Sequence, residues 1–236
     1  MTARSILYLR CSPRGAAAFS SRMAEEVVAR LRALHPAADL VFRDLAATPP
    51  PLVDAAFSAA ILSSPPGSPL SPPLGPPLGP PLGPPPGSPL GRPDAPAPAL
   101  AASEALIEEL AAADVLVVAT PMHNYGVPAV LKAWVDQIVR IHRTFASTQA
   151  GKVGTLSDRP VWLVVASGGW FTGPSPSGAP AQPDFLTPYL RAVLATIGVR
   201  DLHILTLEGV TRGADIAEAA FTRARAALDR MVPPGR

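Results

Sequence analysis

A chain of 236 residues with 48% hydrophobic residues is long enough for one large domain, or at most two small ones, with a substantial core. A net charge of only +2 gives no basic surface for nucleic acid, and the single cysteine, Cys11, excludes an intramolecular disulfide. No cysteine–histidine spacing resembles a metal site, and the N-terminal apolar run at 6–9 is too short for a signal peptide or a membrane span, so the expected compartment is the cytoplasm.

The first half of the chain predicts two strands and two helices. Residues 5–9 are a short apolar run typical of a strand, and residues 19–36 carry apolar side chains at helical spacing before a terminating proline. A second strand is predicted at 40–43. After a proline-rich stretch, residues 103–114 return to a helical pattern. This half therefore reads as strand, helix, strand, interruption and helix.

The proline-rich stretch is the most unusual part of the composition. Sixteen of the 31 prolines lie at 65–98, where PPLG repeats three times and PPPG follows. Proline lacks the amide hydrogen that helices and sheet ladders need, and a period of four excludes collagen, which requires glycine at every third residue. Residues 64–98 are therefore predicted to be a disordered or polyproline-like insertion within a single domain spanning 1–236. The alternative is a segment that docks on an aromatic groove of a partner.

The second half of the chain alternates strands and helices without interruption. Strands are predicted at 115–119, 161–166 and 202–207, and helices at 126–141, 184–198 and 214–232. Strands that are apolar throughout belong in a parallel sheet covered on both faces, and alternation with helices implies right-handed crossovers. Five strands favour an α/β, flavodoxin-like, doubly wound parallel sheet of order 2-1-3-4-5 over the six-stranded dinucleotide-binding fold.

Ligands of such folds bind beyond the carboxyl ends of the strands, here between strands one and three, so the loops after 9, 119 and 166 are expected to meet. The first loop, RCSPRGAAAFSSR, runs into a helix N-terminus with Ser12, Ser20 and Ser21 available as hydroxyl donors. Free amides and a partial positive charge at such a terminus suit a phosphate, and Arg14 or Arg22 can add charge. Neither GxGxxG nor GxxxxGK[ST] is present, which favours a mononucleotide. The alternative is that Ser20 or Ser21 is a simple helix cap.

The second loop, PMHNYG, follows a wholly apolar strand. A planar heteroaromatic ring needs apolar faces, edge donors and closely approaching backbone, and Met122, His123, Asn124 and Tyr125 supply the first two. Gly126 permits an unusual backbone angle or a close approach to a ligand. Taken singly, each of these side chains is as compatible with packing or capping; together, at the expected switch point, they indicate a ring site.

The third loop, ASGGWFTG, follows the fourth predicted strand. Ser167, Gly168 and Gly169 predict a tight turn whose backbone N–H groups can approach the edge of a bound ring. Trp170 and Phe171 can wall the pocket. The alternative is an ordinary glycine turn with two core aromatic residues.

Taken together, SPRGAAAFSSR, PMHNYGVPAVLKAWVDQIVR, ASGG and DFLTPYLRAVLATIGVRDLHILTLEG resemble the FMN-dependent NADH azoreductase family, also called FMN-dependent NADH:quinone oxidoreductases. The most specific marks are PMHN leading into LKxWxD, and TPYLxxxLxxIGxxD. The resemblance covers essentially the whole chain except the proline-rich insertion. It implies a flavodoxin-like homodimer with one FMN per subunit. It also implies NADH as co-substrate, with NADPH left open, and ping-pong two-electron reduction of quinones and reductive cleavage of aromatic azo compounds.

Carried over by position, the resemblance implies a set of cofactor contacts. They are Ser12, Ala18, Phe19 and Ser20 for the FMN phosphate, Met122, His123, Asn124 and Tyr125 for the isoalloxazine ring, and Ala166, Ser167, Gly168 and Gly169 for its pyrimidine edge. Two departures concern Ala18, where the family commonly has serine, and His123, where an aromatic residue is expected. Histidine changes charge near neutral pH, so His123 is the candidate proton donor to a bound acceptor, or a ring that stacks.

Two other functions are compatible with the same residues. A flavodoxin-type electron carrier or a general NAD(P)H:FMN reductase needs the same FMN site, although carriers tend to be acidic and lack a substrate wall. A flavin domain that serves as a scaffold for a proline-rich interaction segment is the third reading. Cys11 is expected to be a small buried residue.

Overall fold

The computed structural model describes residues 3–63, 98–149 and 151–232. The predicted proline-rich insertion at 64–98 lies outside the described residues except for Pro98, which begins a short 3-10 helix (Pro98–Leu100). In chain order the helices and strands are β1 (Ser5–Arg10), α1 (Phe19–Leu34), β2 (Asp39–Asp44), α2 (Ala55–Ser63), α3 (Ala101–Ala112), β3 (Val115–Pro121), α4 (Ala129–Ile138), β4 (Phe145–Thr148), β5 (Gly151–Gly154), β6 (Val161–Ser167), α5 (Thr187–Thr196), β7 (Leu202–Glu208) and α6 (Ala214–Met231).

Five of these strands form one parallel sheet in the order β2-β1-β3-β6-β7. Because β6 and β7 are the fourth and fifth strands of that sheet in chain order, the predicted order 2-1-3-4-5 and the flavodoxin-like fold class are confirmed. Leu9 of β1 pairs with Arg43 on one side and with Val118 on the other, so β1 is an interior strand, and the strand order reverses between β1 and β3.

The core consists of two apolar layers, one on each face of the sheet. Alternate residues of β1 face opposite layers: Ile6 packs with the layer under α1 and α6, whereas Leu7 packs with the layer under α3, α4 and α5. The largest side chains of these layers that are less than 2% exposed are Phe221 and Trp134. Each fully buried side chain of this kind contributes about 1.5–3 kcal/mol relative to an exposed one, so the layers hold the central strand ends in place.

Several elements differ from the sequence expectations. Strand β2 is not covered on both faces, as the apolar strands were expected to be, because Leu40, Val41 and Phe42 are 38%, 36% and 48% exposed. The hairpin of β4 and β5 and the helix α2 were not predicted. Helix α4 ends at Ile138, short of the predicted 141, because Thr144 Oγ1 accepts the Arg140 N–H and a turn follows.

Helix α5 begins at Thr187, where residue 184 was predicted. Asp184 accepts hydrogen bonds from the N–H groups of Leu186 and Thr187, and these replace the first turn of the predicted helix. Within the described ranges, no helix combines the length and the apolar character that crossing a bilayer requires.

Arg159 is a buried cation that caps the C-terminus of α3. Arg159 as a whole residue is 8% exposed. Its guanidinium donates to the carbonyls of Leu110, Ala111 and Ala113, and to that of Ser157 at 3.1 Å. Burial lowers the pKa of Arg159. The side chain therefore satisfies helix-end carbonyls that the protein shields from water.

Replacing this cation by methionine is expected to destabilise the fold. Arg159→Met keeps the aliphatic stem but removes the donor from the buried Ala113 carbonyl and one of the two donors from the Leu110 carbonyl, which costs about 3 kcal/mol. Urea unfolding followed by circular dichroism measures the loss. The matched control is Lys132→Met, which breaks an exposed pair with Asp136 and changes stability by less than about 1 kcal/mol. Equal unfolding midpoints for the two variants would contradict the capping role.

Candidate functional site

The loops after β1, β3 and β6 leave the sheet side by side at one edge. The Cys11 N–H donates to Ala119 O at 2.9 Å, and the Met122 N–H donates to Ala166 O at 2.8 Å. These bonds continue the strand pairing into the loops, so the three loops emerge as neighbours at the point where the strand order reverses. The three loops therefore meet at the edge of the sheet where the strand order predicted that they would.

The first loop leads into the N-terminus of α1, which has no side-chain cap. Ala18 precedes α1 with an extended backbone and has no side chain that can accept the first amides. The hydroxyls of Ser20 and Ser21, in the first turn, are buried and have no hydrogen-bond partner among the described residues. Buried hydroxyls are normally bonded, so this turn offers amides and at least one hydroxyl to a group with several acceptor oxygens. Neither serine caps the helix, so the capping alternative is wrong.

Ser12 and the arginines complete this end of the site. The Ser12 hydroxyl is buried and accepts the Arg14 N–H at 3.3 Å, while Ser12 O accepts the Gly15 N–H at 3.0 Å. The Arg14 guanidinium lies 5.4 Å from the centre of the Phe19 ring, beside the first turn of α1. Arg22 lies 4.5 Å from the ring of Phe221 on α6. Both arginines therefore add positive charge near the helix N-terminus.

The second loop is a tight turn at 123–126. His123 and Gly126 exchange backbone hydrogen bonds of 3.0 and 2.9 Å. The left-handed backbone angles fall on Asn124 (φ 49°) and Tyr125 (φ 67°), not on Gly126 as the sequence suggested. Two central residues with positive φ define a type I′ turn, which asparagine tolerates and tyrosine rarely adopts. His123, Asn124 and Tyr125 are exposed on this turn, and Met122 is half-buried beneath it.

The third loop is held by polar side chains from two directions. Ser167 Oγ, buried at the end of β6, accepts the Gly169 N–H at 3.2 Å. Glu208, buried at the end of β7, accepts the N–H groups of Phe171 and Thr172 and the Thr172 hydroxyl. Phe171 belongs to the apolar core under α3, α4 and α5, as the alternative of a core aromatic residue predicts, whereas Trp170 is half-buried.

Cys11 lies at the start of the first loop and is fully buried, as expected. Burial raises the pKa of the Cys11 thiol far above neutral pH. A thiol that stays protonated is neither a nucleophile nor a ready redox group, so the chemistry of this site does not come from its cysteine.

Two residues that hold the third loop by hydrogen bonds escaped the sequence analysis. Gln182 donates from Nε2 to Ser167 Oγ at 2.8 Å, and Glu208 fastens the third loop as described. The sequence did point to Glu208, because it is the acidic residue that directly follows the apolar strand predicted at 202–207. Gln182 had none, since it lies among prolines and glycines without periodicity.

The fold and the strand-end site define a flavodoxin-like protein, and comparison with known proteins agrees. The sequence profile of the family described as Flavodoxin-like fold matches residues 4–232. FMN-dependent NADH:quinone oxidoreductase 4 of Pseudomonas fluorescens is 41% identical over 224 residues, which are 95% of this chain and 93% of that protein. FMN-dependent NADH:quinone oxidoreductase 2 of Cupriavidus pinatubonensis is 39% identical over 94% of each chain.

Solved structures share the fold. The azoreductase of Bacillus anthracis superposes with a TM-score of 0.72 at 23% identity, covering 98% of this chain and 99% of that one. An FMN-dependent NADH-azoreductase of the same species, solved in complex with FMN, gives 0.69 at 18% identity over 98% and 100%. The chain belongs to the flavodoxin-like family of FMN-dependent NADH:quinone oxidoreductases.

Proposed function

We propose that this chain is an FMN-dependent oxidoreductase that uses NADH to reduce quinones by two electrons and that also cleaves aromatic azo compounds reductively. The relatives named above support the reaction class. The observation that carries the proposal is the uncapped N-terminus of α1 with the buried, unpartnered hydroxyl of Ser20, at the switch point of the sheet. This arrangement suits a phosphate monoester, which brings several acceptor oxygens.

The residues around this point fit FMN. In the proposal its phosphate is held by Ser12, Ala18, Phe19 and Ser20, its ring by Met122, His123, Asn124 and Tyr125, and its pyrimidine edge by Ala166, Ser167, Gly168 and Gly169. When bound, FMN accepts a hydride from NADH and passes two electrons to the acceptor.

The protein orients the ring and stabilises charge at its edge. The Gly169 N–H is used by Ser167 Oγ, whereas none of the described residues accepts the Gly168 N–H. A free amide fixed at the ring edge stabilises negative charge without reorganising. A Cβ at Gly168 would lie 2.7 Å from Thr211 Oγ1, so a larger residue there would require the exposed Thr211 side chain to shift. The glycine therefore serves close packing as well as access to the amide.

Ping-pong turnover distinguishes the proposed enzyme from its alternatives. If NADH leaves before the quinone binds, initial rates with NADH and menadione give parallel double-reciprocal lines. Intersecting lines would contradict a ping-pong order. An electron carrier of the flavodoxin type would bind FMN but oxidise NADH no faster in the presence of menadione. Replacing menadione by free FMN tests the general NAD(P)H:FMN reductase, and NADPH in place of NADH tests the choice of co-substrate.

His123 is proposed to form part of the wall against which ring and acceptor stack. Its side chain is exposed on the turn at 123–126, where water can supply the protons for azo reduction. His123→Phe keeps an aromatic face, so kcat for quinone reduction is expected to stay within about threefold of wild type, with an unchanged pH–rate profile. Loss of a pH-dependent limb, with a fall of about 100-fold, would instead identify His123 as the proton donor.

We also propose a homodimer that works in the cytoplasm. An apolar groove of about 440 Å³ lies between α2, α4 and α5, lined by Val53, Phe57, Val135, Asp136, Val139, Tyr189 and Val193. Next to it Leu52 is 78% exposed. Contiguous exposed apolar surface of this kind supports association. Sedimentation equilibrium tests the dimer.

A further inference from the structure

Gln182 connects two of the three loops of the site. It lies in the segment 172–186, between β6 and α5, and is half-buried. Its backbone N–H donates to Trp170 O at 2.8 Å, and its Nε2 donates to Ser167 Oγ at 2.8 Å. The same Nε2 lies 3.3 Å from Met122 Sδ. One side chain therefore joins the loop after β6 to the residue that begins the loop after β3.

The side-chain amide of Gln182 is pressed against the ring-edge loop. A Cβ at Gly169 would lie 2.3 Å from Gln182 Oε1, so glycine at 169 is what lets the amide reach Ser167. The segment is also tied to the turn at 123–126, because the Phe185 N–H donates to Tyr125 O at 2.9 Å. The two loops that flank the proposed ring are thus spaced by contacts from this one segment.

We propose that Gln182 is a positioning residue for the flavin ring, because its amide sets the spacing between the loops after β3 and β6 and holds Ser167 in place. The inference rests on the proposed function. Gln182 contacts residues of the proposed ring site and none of the proposed phosphate site. Its loss therefore weakens binding of the ring and leaves binding of the phosphate unchanged.

Riboflavin, which carries the ring without the phosphate, separates these two effects. Protein freed of flavin is titrated with FMN and with riboflavin, and quenching of flavin fluorescence gives Kd. Gln182→Leu is expected to raise both Kd values by the same factor, about tenfold, since two amide contacts are lost. Ser20→Ala is expected to raise the Kd of FMN alone.

The matched control is Gln137→Leu, the same chemical change at a buried glutamine that donates to Pro51 O at 2.9 Å, outside the site. It is expected to leave both Kd values unchanged. If Gln182→Leu does not fold, Gln182→Asn, which keeps the amide but withdraws it, is measured in its place. The visible absorption bands of bound FMN are expected to shift in the Gln182 variant and not in the control.

A double-mutant cycle tests the contact with Gly169. Gly169→Ala displaces the amide in the wild-type background, so its effect on Kd is expected to shrink when Gln182→Ala is already present. Three results would overturn the positioning role: Kd values of Gln182→Leu equal to those of the wild type, a loss of affinity confined to FMN, or additive effects in the cycle. In each case, binding of FMN by the wild-type protein would still uphold the proposed function. A wild-type protein that binds neither flavin would overturn both.

Discussion

Ala18→Asp is expected to weaken FMN binding by about 100-fold or more, although it supplies the cap that helix α1 lacks. Ala18 has the extended backbone of a helix N-cap but no side-chain acceptor. Aspartate is among the best N-cap residues, and capping together with the helix dipole favours the helix by about 1 kcal/mol, which the cost of placing a charge at a position only 4% exposed offsets. The same carboxylate faces the position proposed for the phosphate. Two unit charges about 4 Å apart near a protein surface repel each other by about 4 kcal/mol. A 100-fold loss of affinity corresponds to about 2.7 kcal/mol, so this repulsion is large enough to cause it.

Ala18→Asn is the matched control for charge. Asparagine has the same shape and caps the helix equally well, but it carries no charge, so FMN affinity is expected to fall by less than about tenfold. The Kd values of FMN and riboflavin and the thermal midpoint of each flavin-free variant are measured together. A weaker FMN affinity that is equal in the two variants would show that the phosphate does not lie at this helix terminus.

Gly198→Ala adds one methyl group and is expected to lower the free energy of unfolding by about 4 kcal/mol. Gly198 follows α5 with φ of 107°, a conformation that L residues rarely adopt. A Cβ there would lie 2.4 Å from Leu156 O, and one at Gly154 would lie 2.1 Å from Gly198 N. Backbone therefore meets backbone where the β4–β5 hairpin packs against the end of α5, and neither side can withdraw. Urea unfolding gives the free energy.

Two other glycines separate the clash from the backbone strain. Gly178 has φ of 84° and nothing within 4 Å of an added Cβ, so Gly178→Ala is expected to cost about 1 kcal/mol from its dihedral alone. Gly173 has neither constraint, and Gly173→Ala is expected to be neutral within about 0.5 kcal/mol. If Gly198→Ala and Gly178→Ala are equally destabilising, close packing at the hairpin contributes nothing.

The sheet could be predicted because its strands are unambiguous in the sequence. Residues 115–119 and 161–166 are apolar without exception, which only a strand buried on both faces requires, and the helices between them leave one plausible topology. The hairpin at Phe145–Gly154 could not be predicted, because its strands are four residues each and it packs against Gly198, which is distant in sequence.

The site could be predicted in position but only partly in detail. Strand order alone brings the loops containing Ser12, Met122 and Ser167 to one edge. The orientation within each loop depends on contacts from residues distant in sequence. Phe171 is drawn into the core while Glu208 holds its N–H, and Gln182 reaches Ser167 across fifteen positions of the chain. Neither contact leaves a periodic trace in the sequence.

The most direct test of the proposed function is the anaerobic visible spectrum of the protein after reconstitution with FMN and desalting. We expect the flavin bands to remain with the protein, to bleach when one equivalent of NADH per subunit is added, and to return when menadione follows. A colourless protein after desalting, or flavin bands that NADH leaves unchanged, would contradict the assignment of this strand-end site to NADH-driven flavin chemistry.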